Sequence, residues 1–198
     1  MFKSLGAQLR QPSGIFGRMV SKMMDKRNKE SYEHIILELD LESNNSILEI
    51  GYGPGQGISM IVNKVPDCII HGLDFSELMF KKASQRNRKA IMNWKVKLNF
   101  GELTNYDFGL ESYDKIFCLN VIYFWSDLNK VFRKIHSLLN NDGAFWIYMT
   151  HKEEIEKLKF TEKFCKYSID EVVDELKNTG FSSVEYKLDY GYYIKAVK

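Results

Sequence analysis

Ser46 to Gly57 reads SILEIGYGPGQG, and this stretch decides the fold. Ser46 to Ile50 is a short apolar run holding a single acid, Glu49, and it breaks at once into Gly51, Gly53, Gly55 and Gly57. An apolar run of that length bounded by glycine reads as a buried β-strand entering a tight loop. Ile58, Ile61, Val62 and Val65 then fall at i, i+3, i+4 and i+7, the pattern of a helix that buries one stripe, and Pro66 ends it. Glycine suits such a loop because it tolerates positive φ and lets a ligand come close to the backbone. The dinucleotide spacing Gly-x-Gly-x-x-Gly is not met: counted from Gly51 the sixth residue is Gln56, and counted from Gly53 it is Ile58. Pro54 also lacks an N–H, which leaves one donor fewer for a pyrophosphate, so a neutral or cationic nucleoside fits better.

The pattern resembles motif I of the class I S-adenosylmethionine (SAM)-dependent methyltransferases, an acid, any residue, then Gly-x-Gly-x-Gly. Its positions here are Glu49, Ile50, Gly51, Tyr52, Gly53, Pro54 and Gly55. The resemblance implies an α/β fold: a Rossmann-like, seven-stranded, mostly parallel sheet with helices on both faces and an antiparallel hairpin strand at the C-terminus. It also implies SAM as methyl donor, S-adenosylhomocysteine as product and no metal, with Glu49, Gly51, Tyr52, Gly53 and Gly55 at the cofactor.

Downstream, Cys68 to Asp74 reads as a second strand, with Asp74 at its carboxyl end and 23 residues after Gly51. An acid about 20 residues past the glycine loop of a βαβ unit accepts hydrogen bonds from ribose hydroxyls, since one carboxylate holds both diol protons. Asp74, with Phe75 beside it, is therefore assigned to the SAM ribose, against the alternative of a charge at the start of the helix that Ser76 caps. Val96 to Phe100 is a third strand, followed by Gly101, Glu102 and Leu103 where the family has Gly-Asp-Ala or similar. The resemblance puts Glu102 and Leu103 at the adenine; an exposed, idle Glu102 is the alternative.

Tyr113 to Asn120 is the fourth strand. Ser126 caps a helix with apolar residues at 128, 131, 132, 135, 138 and 139, Asn140 to Gly143 make a turn, and Ala144 to Thr150 form the fifth strand. Ligands of open α/β sheets bind beyond the carboxyl ends of the strands, so Asn120 faces the cofactor and Tyr123, Phe124 and Trp125 face the acceptor. Base-methylating relatives carry Asn-Pro-Pro-Tyr where this chain has Asn120, Val121, Ile122 and Tyr123, which argues against DNA amino-methylation. The last third gives a short helix after His151, a helix with a Ser168–Glu171 capping box stopped by Gly180, and two strands, 183–189 and 192–197.

Before the glycine loop, two helical stripes are expected, one through Phe16, Met19, Val20, Met23 and Met24 and one through Tyr32, Ile35, Ile36 and Leu39, capped by Ser13 and Asn28. The chain thus divides into a helical N-terminal cap, 1–44, and a Rossmann-like core, 45–198, in a single domain. Residues 1–27 read as a lid, with Phe16 reaching the substrate beside Tyr123 and Trp125; packing on the sheet is the alternative.

With 198 residues, 44% hydrophobic and 27% charged, the chain is long and apolar enough for one full core. No apolar run approaches a membrane span and no signal-peptide core is visible, so a cytoplasmic protein is expected. Cys68, Cys118 and Cys165 are odd in number and far apart, suggesting neither a disulfide frame nor a zinc site. The net charge of +2 is too small for whole-molecule attraction to nucleic acid. Residues 77–97 are basic, however, with seven cations against Glu77, and read as a solvated helix face or, alternatively, an anionic docking face.

Methyl transfer from a sulfonium is an in-line displacement whose leaving group departs neutral, so alignment in a dry site can suffice. Tyr123 and His151 are the candidate catalytic residues, His151 as a base should the acceptor have to lose a proton; a solvated surface histidine is the alternative. Three functions compete: a small-molecule methyltransferase, a methyltransferase acting on RNA or protein, and a non-catalytic SAM-binding module.

Overall fold

The computed structural model describes residues 5–198, so residues 1–4 of the expected cap lie outside the described residues. Two helices, α1 (Leu5–Arg10) and α2 (Gly14–Glu38), precede the sheet. Then follow β1 (Ser46–Ile50), α3 (Gln56–Lys64), β2 (Ile69–Asp74), α4 (Glu77–Arg86), α5 (Arg88–Met92), β3 (Val96–Phe100) and β4 (Tyr113–Leu119). After a 3-10 turn at Ile122–Phe124 come α6 (Leu128–Leu138), β5 (Leu139–Met149), α7 (Lys152–Glu156), a second 3-10 turn at Lys159–Thr161, α8 (Ile169–Asn178), β6 (Ser183–Leu188) and β7 (Tyr192–Val197).

The seven strands lie in the order β3-β2-β1-β4-β5-β7-β6. The first five are parallel, and β7 runs antiparallel to both β5 and β6. The expected mostly parallel sheet with an antiparallel C-terminal hairpin is therefore present. β1 is central, with Leu48 flanked by His71 on β2 and Ile116 on β4. Helices cover both faces, so residues 47–50 are all buried, which explains why β1 is apolar on both of its faces apart from Glu49 rather than alternating. On one face, α6 inserts Leu128, Val131, Phe132, Ile135 and Leu138 against β4 and β5, joined by Val172 and Leu176 of α8. On the other, Tyr32, Ile35 and Ile36 of α2 pack with Ile58 and Ile61 of α3. The chain leaves β1 toward β2 and β3, then returns to its other side for β4; this reversal opens a crevice beyond the strand ends.

Several local expectations are corrected. The two N-terminal stripes form one 25-residue helix. Residues 21–31 hold no glycine or proline, and an interior asparagine costs a helix only a few tenths of a kcal/mol, about the price of Asn28. Asp127 rather than Ser126 caps α6, its carboxylate accepting from the Lys130 N–H at 2.9 Å. Asn140 to Gly143 are absorbed into an irregular start of β5, where the pairing with β4 shifts register and Asp142 takes φ 62°. The Ser168–Glu171 capping box makes both of its hydrogen bonds, and Gly180, at φ 104°, ends α8.

The basic stretch finds acids outside its own sequence. Arg86 pairs with Asp25, Lys95 with Asp67 and Lys97 with Glu111, while Lys81 meets Glu77 within α4. That accounts for four of its cations as ordinary surface or cap contacts. Among the described residues no helix is long and apolar enough to cross a membrane.

Candidate active site

A cavity of about 340 Å³ lies beyond the carboxyl ends of β1, β2, β4 and β5. Its floor is the glycine loop, with Gly51, Gly53, Pro54 and Gln56; one wall is Asp74 and Phe75, and the opposite wall is Leu119 to Val121 with Tyr123 and Phe124. Leu9, Arg10, Met23 and Met24 roof it, and residues 155–164 close the far end.

The loop glycines sit at φ 72° (Gly51), 51° (Gly53) and 77° (Gly55), the left-handed region that side chains disfavour. Gly55 precedes α3, where an added Cβ would lie 2.6 Å from Asn87 Nδ2 and 2.8 Å from the Ala83 Cβ, so packing against α4 requires glycine. Gly53 differs. The nearest atom to an added Cβ is Met24 Cε at 3.7 Å, because that face opens into the cavity.

Asp74 stands across from it, and its two oxygens accept backbone hydrogen bonds from Gly53 (2.9 Å) and Ser76 (2.8 Å). The carboxylate thus braces the loop while lining the cavity. Burial pushes its pKa up to about 6, opposed by those two bonds. Arg86 of α4 braces the loop from outside, making a bidentate pair with Asp25 (both contacts 2.7 Å) and a 3.0 Å bond to the Pro54 carbonyl. Gln56 also faces the cavity, and its buried Oε1 has no hydrogen-bond partner.

Glu49 lies beneath the loop rather than at the cavity surface. It is fully buried and accepts a 2.7 Å bond from the Tyr32 hydroxyl, while its Oε2 has no partner. Burial pushes its pKa up to about 8, against the Tyr32 bond, which acts the other way. An acid with a raised folded pKa favours folding most at low pH, and that contribution fades as pH climbs from about 4.5 to about 8. Asp74 has the same sign but finishes near 6. In urea melts between about pH 6.5 and about 8.5, the wild type should therefore lose up to about 2 kcal/mol that Glu49→Gln does not lose. Parallel declines in the two proteins would show that Glu49 does not titrate in this range.

At the acceptor end, Tyr123 is 5% exposed. Its hydroxyl accepts from the Thr150 N–H and lies 3.1 Å from Asn120 Oδ1, which also accepts from Thr150 Oγ1 at 3.2 Å. Asn120, at φ 57°, aims this cluster inward. Burial drives the Tyr123 phenol well above its ordinary pKa, so it stays protonated and serves as a fixed post. His151 lies outside the cavity wall, at the start of α7, with its ring 4.6 Å from that of Tyr192.

The remaining sequence candidates divide in the same way. Gly51, Gly53, Asp74, Phe75, Asn120 and Tyr123 meet at the cavity. Gly55 lies one layer behind. Tyr52 is buried in the sheet, its hydroxyl donating to the Asn99 carbonyl at 3.1 Å. Leu103 is core, and Glu102 is exposed with its carbonyl in a turn, so neither lines the cavity. Trp125, just past the 3-10 turn, faces Phe132 on α6, and Phe16 is 40% exposed on the outer side of α2. Met23 and Met24 of the expected lid stripe line the cavity, and the residues missed from sequence are Asn28 and Ser31 on α2, Gln56, Tyr148, Thr150, and the 155–164 segment. The spacing of Met24, Asn28, Ser31 and Tyr32 at i, i+4, i+7 and i+8 was a usable signal, since two polar residues interrupt a buried helical face.

Comparison with known proteins agrees with this geometry. A methyltransferase domain family matches residues 47–143. The chain is 26% identical over 163 residues to an uncharacterized methyltransferase, YdaC, of Bacillus subtilis, covering 82% of this chain and 86% of the relative. It is 27% identical over 172 residues to the sterol 24-C-methyltransferase of Candida albicans, covering 80% of this chain but only 45% of that one. In fold it is similar to a chain of the complex between the Haloferax volcanii Trm112 methyltransferase activator and a methyltransferase (TM-score 0.81, 15% identity, 100% of this chain and 99% of that chain). It is also similar to Haemonchus contortus phosphoethanolamine N-methyltransferase 2, solved with phosphomonomethylethanolamine and S-adenosylhomocysteine (TM-score 0.77, 17% identity, 91% and 57% coverage).

Proposed function

Because the chain belongs to the class I SAM-dependent methyltransferases, we propose that its cavity binds SAM and that the methyl group passes to a compact small-molecule acceptor. The observation that carries this reading is Asp74, held between the Gly53 and Ser76 N–H groups and open to the cavity beside a glycine whose missing side chain leaves room for a ligand. Asp74 takes the ribose hydroxyls, the Gly53 face receives the nucleoside, and the unpartnered Gln56 Oε1 accepts from the donor's ammonium. SAM supplies an activated methyl whose sulfide leaving group needs no proton. The residues around it align the donor and acceptor and exclude water.

A small acceptor is favoured by the roof. α1 lies against the second 3-10 turn, where an added Cβ on Gly6 would collide with the Phe160 carbonyl, so these segments pack tightly over one side of the cavity. Ion pairs at four of the seven cations of the basic stretch weaken the feature that suggested RNA or protein. The sterol and phosphoethanolamine relatives act on small molecules, although this chain spans only about half of each. Calorimetry should show SAM and S-adenosylhomocysteine binding and no NAD binding, and radiolabel should move from SAM to a metabolite pool in preference to RNA or protein fractions. Label in a polymer fraction would favour the second reading, and binding without transfer the non-catalytic one.

The closed roof must open to admit its ligands. Amide exchange in residues 5–27 should therefore slow when S-adenosylhomocysteine binds. Equal exchange with and without it would make this segment static packing rather than a lid.

A further inference from the structure

Aromatic side chains line the cavity, and its lining, among the described residues, holds no histidine or lysine. Tyr123, Phe124, Tyr148, Phe160, Phe164 and Tyr190 line it. Tyr123 and Phe164 stack with planes 10° apart and centroids 6.2 Å apart, and Phe124 meets Phe164 edge-on at 5.0 Å. Among the described residues, the only carboxylates lining the cavity are Asp25, held by Arg86, and Asp74, held at the loop. The Tyr123 hydroxyl is committed to Thr150 and Asn120, and His151 is outside the wall. The lining arginines, Arg10 and Arg27, are exposed at the rim.

Each acceptor chemistry makes a different demand on such a wall. A hydroxyl, a thiol or a protonated amine has to shed a proton, and no side chain here is placed to receive it. An anionic acceptor would carry its charge into a cavity whose lining cations, Arg10 and Arg27, are both exposed. A neutral lone pair does neither. When it is methylated, positive charge moves onto the acceptor, where aromatic faces attract it.

Resting on the methyl-transfer reading, we propose that the acceptor is a neutral lone-pair nucleophile on an apolar body, a thioether sulfur or a tertiary or heteroaromatic nitrogen, and that the product is an onium cation. The acceptor lone pair forms the new bond to the methyl carbon while the carbon–sulfur bond of SAM breaks and its pair returns to sulfur. One positive charge passes from donor to acceptor, and no proton is released. The ring faces hold the same charge before and after transfer, so the wall suits substrate and product alike.

Three probes on one bicyclic body test this: quinoline, 2-naphthol and 2-naphthalenethiol, each with SAM and the full chain. The expected result is N-methylquinolinium as the preferred product, one S-adenosylhomocysteine per turnover and no proton release in an indicator assay. For quinoline, kcat/KM should stay level between about pH 7 and about pH 9, because no base is titrating. Phe164→Leu should lower it about tenfold with cofactor affinity unchanged. Faster methylation of the naphthol with proton release, faster methylation of the thiol, or a rate for quinoline rising with pH, would overturn the proposal while leaving methyl transfer in place. Cofactor binding without methylation of quinoline would overturn it as well. Absence of SAM binding would instead bring down the underlying reading.

Discussion

Gly53→Val should abolish SAM binding, a loss of more than about 100-fold, while the protein stays folded. Two costs combine at this residue. At φ 51° a β-branched side chain is strained, by roughly 1–2 kcal/mol on the general left-handed penalty, and that part appears as reduced stability. The other part is steric and falls on the ligand alone. An added Cβ at Gly53 would meet only Met24 Cε, at 3.7 Å, so the branch projects into the space assigned to the nucleoside. Gly55→Val is a poor substitute, since its Cβ would strike Ala83 and Asn87 and dislodge α4 whether or not a ligand is present. Thermal melts alongside calorimetry separate the two costs. A folded Gly53→Val protein that binds SAM within about threefold of wild type would place the nucleoside elsewhere.

Asp74→Ala should weaken SAM by about 10-fold to about 100-fold, the worth of roughly 1.5–3 kcal/mol for a charge-assisted hydrogen bond. The substitution also releases the Gly53 N–H, so part of the loss comes through the loop. The pH dependence of the wild type isolates the direct part. Burial holds the Asp74 pKa at about 6, and the charged form is the one that accepts both ribose hydroxyls. SAM affinity should therefore be level above about pH 7 and fall about tenfold per unit below about 6, a slope that Asp74→Ala removes. An affinity unchanged between about pH 5 and about 7.5 would show that the carboxylate does not hold the ribose.

What the sequence made legible follows from how local each feature is. The glycine loop and Asp74 could be read because positive φ, close approach and a strand-end acid leave marks in residue type and spacing. The seven-stranded, mostly parallel sheet with its antiparallel C-terminal hairpin was reached through the family resemblance, while the Ser168–Glu171 box and Gly180 carried local capping signatures of their own. Side-chain direction after an irregular turn was not readable. Tyr123 and Trp125 are two residues apart, yet the 3-10 turn between them sends one to the cavity and the other to α6. His151 looked well placed by its position after β5, but the path of α7 carries its ring to Tyr192. Phe160 ends a charged stretch, 151–160, read as one short helix, which instead breaks into α7 and a 3-10 turn that folds back over the site, and Phe164 follows in a segment given no reading. Asp25 and Arg86 are 61 residues apart, and nothing local to either predicts their pairing.

The central claim, that SAM occupies the space between the Gly53 loop and Asp74, is tested most directly by a crystal structure of the chain with S-adenosylhomocysteine. The predicted result is a ribose with both hydroxyls within hydrogen-bond distance of the Asp74 carboxylate, its nucleoside against the bare Cα of Gly53 and its sulfur turned toward Asn120 and Tyr123. A ligand bound outside this crevice, or one inside it whose ribose makes no contact with Asp74, would contradict the account.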